Sequence, residues 1–311
     1  MSFAIVFPGQ GSQAVGMLSE LSTEWPQVSE TFAEASDALG YDLWQLVQEG
    51  PDTALNQTDK TQPAMLAAGI ATWRVWQAAG GAMPDYMAGH SLGEYTALVA
   101  AGAIEFGNTI RLVEKRGQLM QAAVPQGQGA MAAVLGLTDE QVISVCDQAA
   151  EGEVVQAVNF NAPGQVVVAG TSAAVERAAA LAKEAGAKRA LILPVSVPSH
   201  CSLMKNAAEE LAKSLAALEI SAPKINVLHN VDVASHVDAD KIRDVLAMQL
   251  YSPVRWVETV RKFSEAGVDA LVECGPGKVL AGLNKRIERS MTAMPVIDVK
   301  SLTTAVEAHK A

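Results

Sequence analysis

The residues best suited to chemistry lie at 88–95, in the stretch AGHSLGEY. Ser91 stands between Gly89 and Gly93, matching G-x-S-x-G, with His90 directly before it. A serine nucleophile on a tight strand-to-helix turn needs small neighbours, because the backbone there is strained and crowded. DYMAGH supplies a short strand ahead of the turn, and LGEYTALVAAG a helix that ends at Gly102. Ser91 then lies at a helix N-terminus, where the Leu92 N–H and the helix dipole favour an oxyanion. The same pattern also fits a small residue in a Gly-rich turn.

Serine is unreactive at neutral pH without a base. Five histidines are available. His90 adjoins Ser91, but neighbours across an elbow point in different directions, so it reads as support for the turn. His309 lies in the tail, and His229 and His236 follow a strand and sit in a loop. His200, in VPSHCSLM, follows an expected strand and opens a helix where the chain crosses between domains, which places it at a cleft. A capping or packing role for His200 fits those features equally. A triad also needs a group to orient the imidazole. The acids between Ser91 and His200 include Asp139 and Asp147, awkwardly placed in the expected small domain, and a backbone carbonyl is the alternative.

Three further stretches carry polar or Gly-rich signals. FPGQGSQAVG at 7–16 imitates a dinucleotide fingerprint, but Pro8 and Gly16 disfavour the strand end and helix which that motif requires. It reads better as a loop whose Gln10 N–H faces developing negative charge. In EKRGQLMQ, Arg116 is either a solvated helix residue or a bidentate carboxylate ligand in a cleft. In CGPGKVL, Lys278 is either an exposed turn residue or a phosphate contact.

The elements that must position these residues are mostly buried strands alternating with helices. Apolar runs recur at 3–7, 130–135, 154–158, 166–169, 190–193, 225–228 and 270–272, with helical spacing at 172–185, 204–218 and 239–250. Such alternation predicts an α/β fold with a mostly parallel, covered sheet. From 130 to 193 the order is βαββαβ, the ferredoxin-like arrangement, with NFNAPGQ as its hairpin turn. VPQGQG at 124–129 and PVSVPSH at 194–200 read as crossings. A small domain at 126–197 is therefore expected inside a larger one formed by 1–125 and 198–311.

Composition narrows the function. The 311 residues are half hydrophobic, enough for a sizeable core, and no run of about 18 apolar residues predicts a membrane span. MSFAIVFPGQG lacks a basic leader region and reads as a first strand. Three scattered cysteines suit neither a disulfide framework nor a zinc site, and they fit a reducing cytoplasm. No metal or other cofactor is expected. A formal charge of −11 without a basic stripe argues against nucleic acid. NKRIERS at 284–290 is a candidate docking patch for an acidic protein, or an ordinary solvated helix face.

FPGQGSQ, GHSLGEY, RGQLMQ, NFNAPGQ, VPSHC and ECGPGKVL, in this order, closely resemble malonyl-CoA:acyl carrier protein transacylases of bacterial type II fatty-acid synthesis. The resemblance runs from about 3 to 300 and implies an α/β-hydrolase-like large domain with a ferredoxin-like insertion. It implies that Ser91 carries malonyl as an ester and that His200 moves the proton. Gln249, within MQLYSPVRW, would hold the imidazole through its backbone carbonyl, and the N–H groups of Gln10 and Leu92 would form the oxyanion hole. Arg116 would bind the malonyl carboxylate. The implied partners are malonyl-CoA and the acyl carrier protein. A serine hydrolase and a non-enzymatic carrier-binding subunit are the competing readings.

Overall fold

The computed structural model describes residues 2–195 and 197–310. Its strands are β1 (Phe3–Phe7), β2 (Tyr86–Gly89), β3 (Gly129–Leu135), β4 (Val155–Ala162), β5 (Gln165–Thr171), β6 (Arg189–Ile192), β7 (Asn226–Leu228), β8 (Ala270–Cys274) and β9 (Thr292–Val296). Five of them form a parallel sheet in the order β7-β2-β1-β8-β9. The central β1, FAIVF, is buried along its whole length, as its unbroken apolar run requires. Its alternate residues serve two cores. Phe3, Ile5 and Phe7 pack toward helix Thr58–Ala78, while Ala4 and Val6 pack toward Trp256, Phe263 and Leu280 on the opposite face.

The other four strands form an antiparallel sheet in the order β4-β5-β3-β6, with helices Asp139–Ala150 and Ser172–Glu184 supplying one face of its core. That is the βαββαβ arrangement expected from the sequence. The opposite face presents Met131, Val158, Val167 and Ala169 to Cys201, beside the segment that carries His200. The two sheets are also stitched directly. Val254 N–H donates to Val158 O at 2.8 Å, and Phe160 N–H donates to Val254 O at 3.0 Å.

Two details differ from the sequence-based expectation. β4 continues to Ala162, well beyond 158, so the hairpin turn shrinks to Pro163-Gly164, with Gly164 at φ 69°. The pairing with Val254 supplies hydrogen bonds that extend the strand. β9, TAMPV, is not among the apolar runs read as strands, and it contains Pro295. It lies at the edge of the parallel sheet, where a missing N–H is tolerated.

Candidate active site

Ser91 occupies the turn between β2 and helix Gly93–Ala100, at the carboxyl edge of the parallel sheet. Its φ is 51°, a left-handed conformation that a non-glycine residue adopts at a cost. The strain is supported by a hydrogen bond from Ser91 N–H to Asn230 Oδ1 at 2.8 Å. The flanking glycines are required by close approach. A Cβ on Gly89 would lie 1.8 Å from the Gly93 carbonyl carbon, and one on Gly93 would lie 2.1 Å from Phe7 O. Gly93→Ala must therefore push the elbow off β1. It is expected to lower stability by at least about 3 kcal/mol in urea unfolding, and a loss below about 1 kcal/mol would contradict the close packing.

His200 also has a positive φ, 66°, and its ring is buried. Its Nε2 lies 2.8 Å from Ser91 Oγ, and its Nδ1 lies 2.7 Å from the Gln249 main-chain oxygen. A carbonyl only accepts, so Nδ1 carries the proton and Nε2 is free to accept from the serine hydroxyl. Burial lowers the His200 pKa from 6.5 to about 3, the nearby Arg116 charge adds to this, and the Gln249 carbonyl opposes it. The imidazole is held neutral and ready to accept a proton.

Arg116 projects from helix Phe106–Ala123 and is 1% exposed. Nη1 donates to Gln62 Oε1 at 2.8 Å, Nη2 donates to Gln249 Oε1 at 2.9 Å, and Nη2 is 3.4 Å from Ser91 Oγ. Its Nε has no acceptor among the described residues. The guanidinium is thus positioned by neutral amides beside the serine, an arrangement that leaves its charge available to an anion. A cavity of about 530 Å³ opens over these groups, lined from the parallel-sheet side by Gln10, Ser91, Arg116 and His200, and from the antiparallel side by Met131 and Asn159. Among the described residues, the backbone N–H groups of Gln10 and Leu92 donate to no protein acceptor, and both residues line the cavity.

The structure brings Ser91, His200, Gln10, Leu92 and Arg116 together around one cavity, with the buried Gln249 behind them in contact with His200 and Arg116. His90 also lines the cavity, but its Nε2 lies 2.7 Å from Asn161 Oδ1, which ties the elbow to β4. Asp139 and Asp147 lie on the helix Asp139–Ala150, and the His200 ring is held by the Gln249 carbonyl. Lys278 is exposed and does not line the cavity. In the 284–290 run, Asn284 is buried while Lys285, Arg286 and Arg289 are exposed. Sequence reasoning missed Gln62, Glu94, Asn161 and Asn230. A signal existed for two of them, since Gln62 and Glu94 interrupt otherwise apolar helical surfaces. Among the described residues, no group of three His, Cys, Asp or Glu side chains is placed to hold a metal ion, and no helix is long and apolar enough to cross a membrane.

Comparison with known proteins gives this geometry a family. The acyl transferase domain model matches residues 4–306. The chain belongs to the acyl transferase family. It is an acyltransferase, with the serine-histidine pair at the carboxyl edge of its sheet. A Haemophilus influenzae malonyl CoA-acyl carrier protein transacylase is 61% identical over 306 residues, covering 98% of each chain. A Vibrio cholerae acyl carrier protein S-malonyltransferase of known structure is 62% identical, with a TM-score of 0.96 over 98% of this chain and 99% of that one. A chain from a complex of a type II PKS acyl-carrier protein with its malonyl-transacylase is 58% identical, with a TM-score of 0.98 over 99% of this chain and all of that one. These acyl transferase relatives share the fold along essentially the full chain.

Proposed function

We propose that the protein moves the malonyl group from malonyl-CoA to the phosphopantetheine thiol of acyl carrier protein by a ping-pong route through a malonyl-Ser91 ester. The observation that carries this reading is a buried guanidinium, held by the Gln62 and Gln249 amides and 3.4 Å from the hydroxyl that contacts a neutral histidine. In the first half-reaction Ser91 Oγ attacks the thioester carbonyl as its proton passes to His200 Nε2. The Gln10 and Leu92 N–H groups receive the oxyanion. The C–S bond then breaks, and the CoA sulfur takes the proton from Nε2. The second half-reaction runs in reverse order with the carrier thiol as nucleophile. Arg116 binds the malonyl carboxylate and selects it over acetyl. Residues 126–197 act as the small domain that closes one side of the cavity, with the remainder as the large domain. The exposed Lys285, Arg286 and Arg289 suit an acidic carrier protein.

A transferase needs its acceptor, and a serine hydrolase needs only water. CoA release from malonyl-CoA is expected to stop after one equivalent per enzyme without carrier protein and to resume when the holo carrier is added. Steady release without any acceptor thiol would replace this reading with a hydrolase. The neutral His200 also sets a pH dependence. Because its pKa is lowered to about 3, the base form persists as pH falls through 6.5. The kcat/KM for acylation is therefore expected to stay level from about pH 8 to about pH 5, and a loss with a midpoint near 6.5 would contradict the assignment.

A further inference from the structure

Behind the elbow lies a polar network whose centre is a fully buried carboxylate. Glu94 sits in the first turn of helix Gly93–Ala100, with no solvent exposure. Its Oε1 accepts from His229 Nδ1 at 2.7 Å, and its Oε2 accepts from Asn230 N–H at 2.9 Å and Gln249 Nε2 at 2.8 Å. Two of these partners reach the reacting pair. Asn230 Oδ1 holds the Ser91 N–H, and the Gln249 main-chain oxygen accepts from His200 Nδ1.

The side chain of Gln249 carries a second message. A carboxylate only accepts, so the amide must turn its NH2 toward Glu94 and toward Ser91 O, 3.0 Å away. Its Oε1 is thereby committed to Arg116 Nη2. Guanidinium, amide and carboxylate form one continuous buried chain, and no carboxylate touches Arg116 directly among the described residues. At low local dielectric the Arg116 charge disfavours a second cation nearby, and proton transfer from Ser91 creates one on His200.

We propose that Glu94 is a positioning residue that acts as the counter-ion of Arg116 across the Gln249 amide, so that the His200 imidazolium can form beside a buried guanidinium. The proposal rests on the reading of Ser91 and His200 as the transfer pair. Glu94 touches no substrate. Its charge, more than its shape, is what the reaction uses.

Glu94→Gln isolates the charge. The new carbonyl can keep the bonds from Asn230 and Gln249, and the new NH2 can donate to His229 Nδ1 once that ring moves its proton to Nε2, an atom without a partner among the described residues. Malonyl transfer is measured by steady-state kinetics alongside intact mass of the wild-type enzyme. The expected result is a kcat lower by about 30-fold or more with a malonyl-CoA KM that does not rise, because Arg116 keeps its full attraction for the substrate anion. Gln249→Met removes the amide bridge, leaves the main-chain carbonyl in place and is expected to show the same split, which decides the matter if Glu94→Gln fails to fold. A kcat within about 3-fold of wild type in either folded variant, or a KM that rises in step with the loss of kcat, would overturn the proposal. Absence of a malonyl adduct on Ser91 in the wild-type enzyme would instead overturn the underlying reading.

Discussion

Ser91→Ala is expected to reduce malonyl transfer by at least about 10³-fold while leaving the fold intact. The loss is chemical because the hydroxyl is the group in contact with His200 Nε2, whereas the elbow is held by the Ser91 backbone. Alanine inherits the same positive φ and the same N–H bond to Asn230, so the strain does not change. Cys201, one residue beyond His200, does not offer a second nucleophile. Its thiol is buried, donates to Pro198 O and is pushed up to about 11 by burial. The test compares transfer rates and urea unfolding of the two proteins. Activity within about tenfold of wild type would remove Ser91 from the reaction.

Arg116→Ala is expected to lower kcat/KM for malonyl-CoA by about 30- to 5,000-fold relative to acetyl-CoA. This corresponds to the loss of about 2–5 kcal/mol from a charged contact to a buried carboxylate. The ratio matters more than the absolute rate. Arg116 also binds Gln62 and Gln249, and its guanidinium lies 5.5 Å from the centre of the Tyr95 ring, so truncation disturbs the site for every substrate. That common loss cancels in the comparison of malonyl with acetyl. Lysine is not an adequate replacement, because a single ammonium cannot engage both glutamine oxygens and a carboxylate in one plane. Equal losses for the two substrates would show that Arg116 is structural and does not select the acyl group.

The legible part of the site is the part encoded locally. G-x-S-x-G announced the elbow because close backbone approach admits only glycine at 89 and 93. The βαββαβ order of the small sheet followed from apolar periodicity and from Pro163-Gly164. Arg116 stayed open on residue pattern, since a helix with Leu112, Val113 and Met120 on its buried stripe does not reveal whether an arginine on that stripe meets solvent or a cleft. Its inward position depends on helix Thr58–Ala78, where Gln62 receives it. The orienting group for His200 is a main-chain oxygen, and side-chain chemistry at Gln249 carries no trace of that role. Its assignment came only from family resemblance. Glu94 and Asn230 were missed, and His229 was placed only after a strand, for a related reason. They meet across sequence separations of about 135 residues, and only the placement of β7 beside β2 brings them together. β9, with Pro295 inside it, is not among the apolar runs, and the sheet edge tolerates its missing N–H.

The decisive step is the passage of malonyl through Ser91. Its most direct test is intact and peptide mass spectrometry of the enzyme after brief exposure to malonyl-CoA, followed by addition of holo acyl carrier protein. One malonyl group is expected on the peptide carrying Ser91, absent in Ser91→Ala, and it is expected to move to the carrier when the thiol arrives. A carrier that becomes malonylated without any enzyme adduct, or an adduct on another residue, would contradict it.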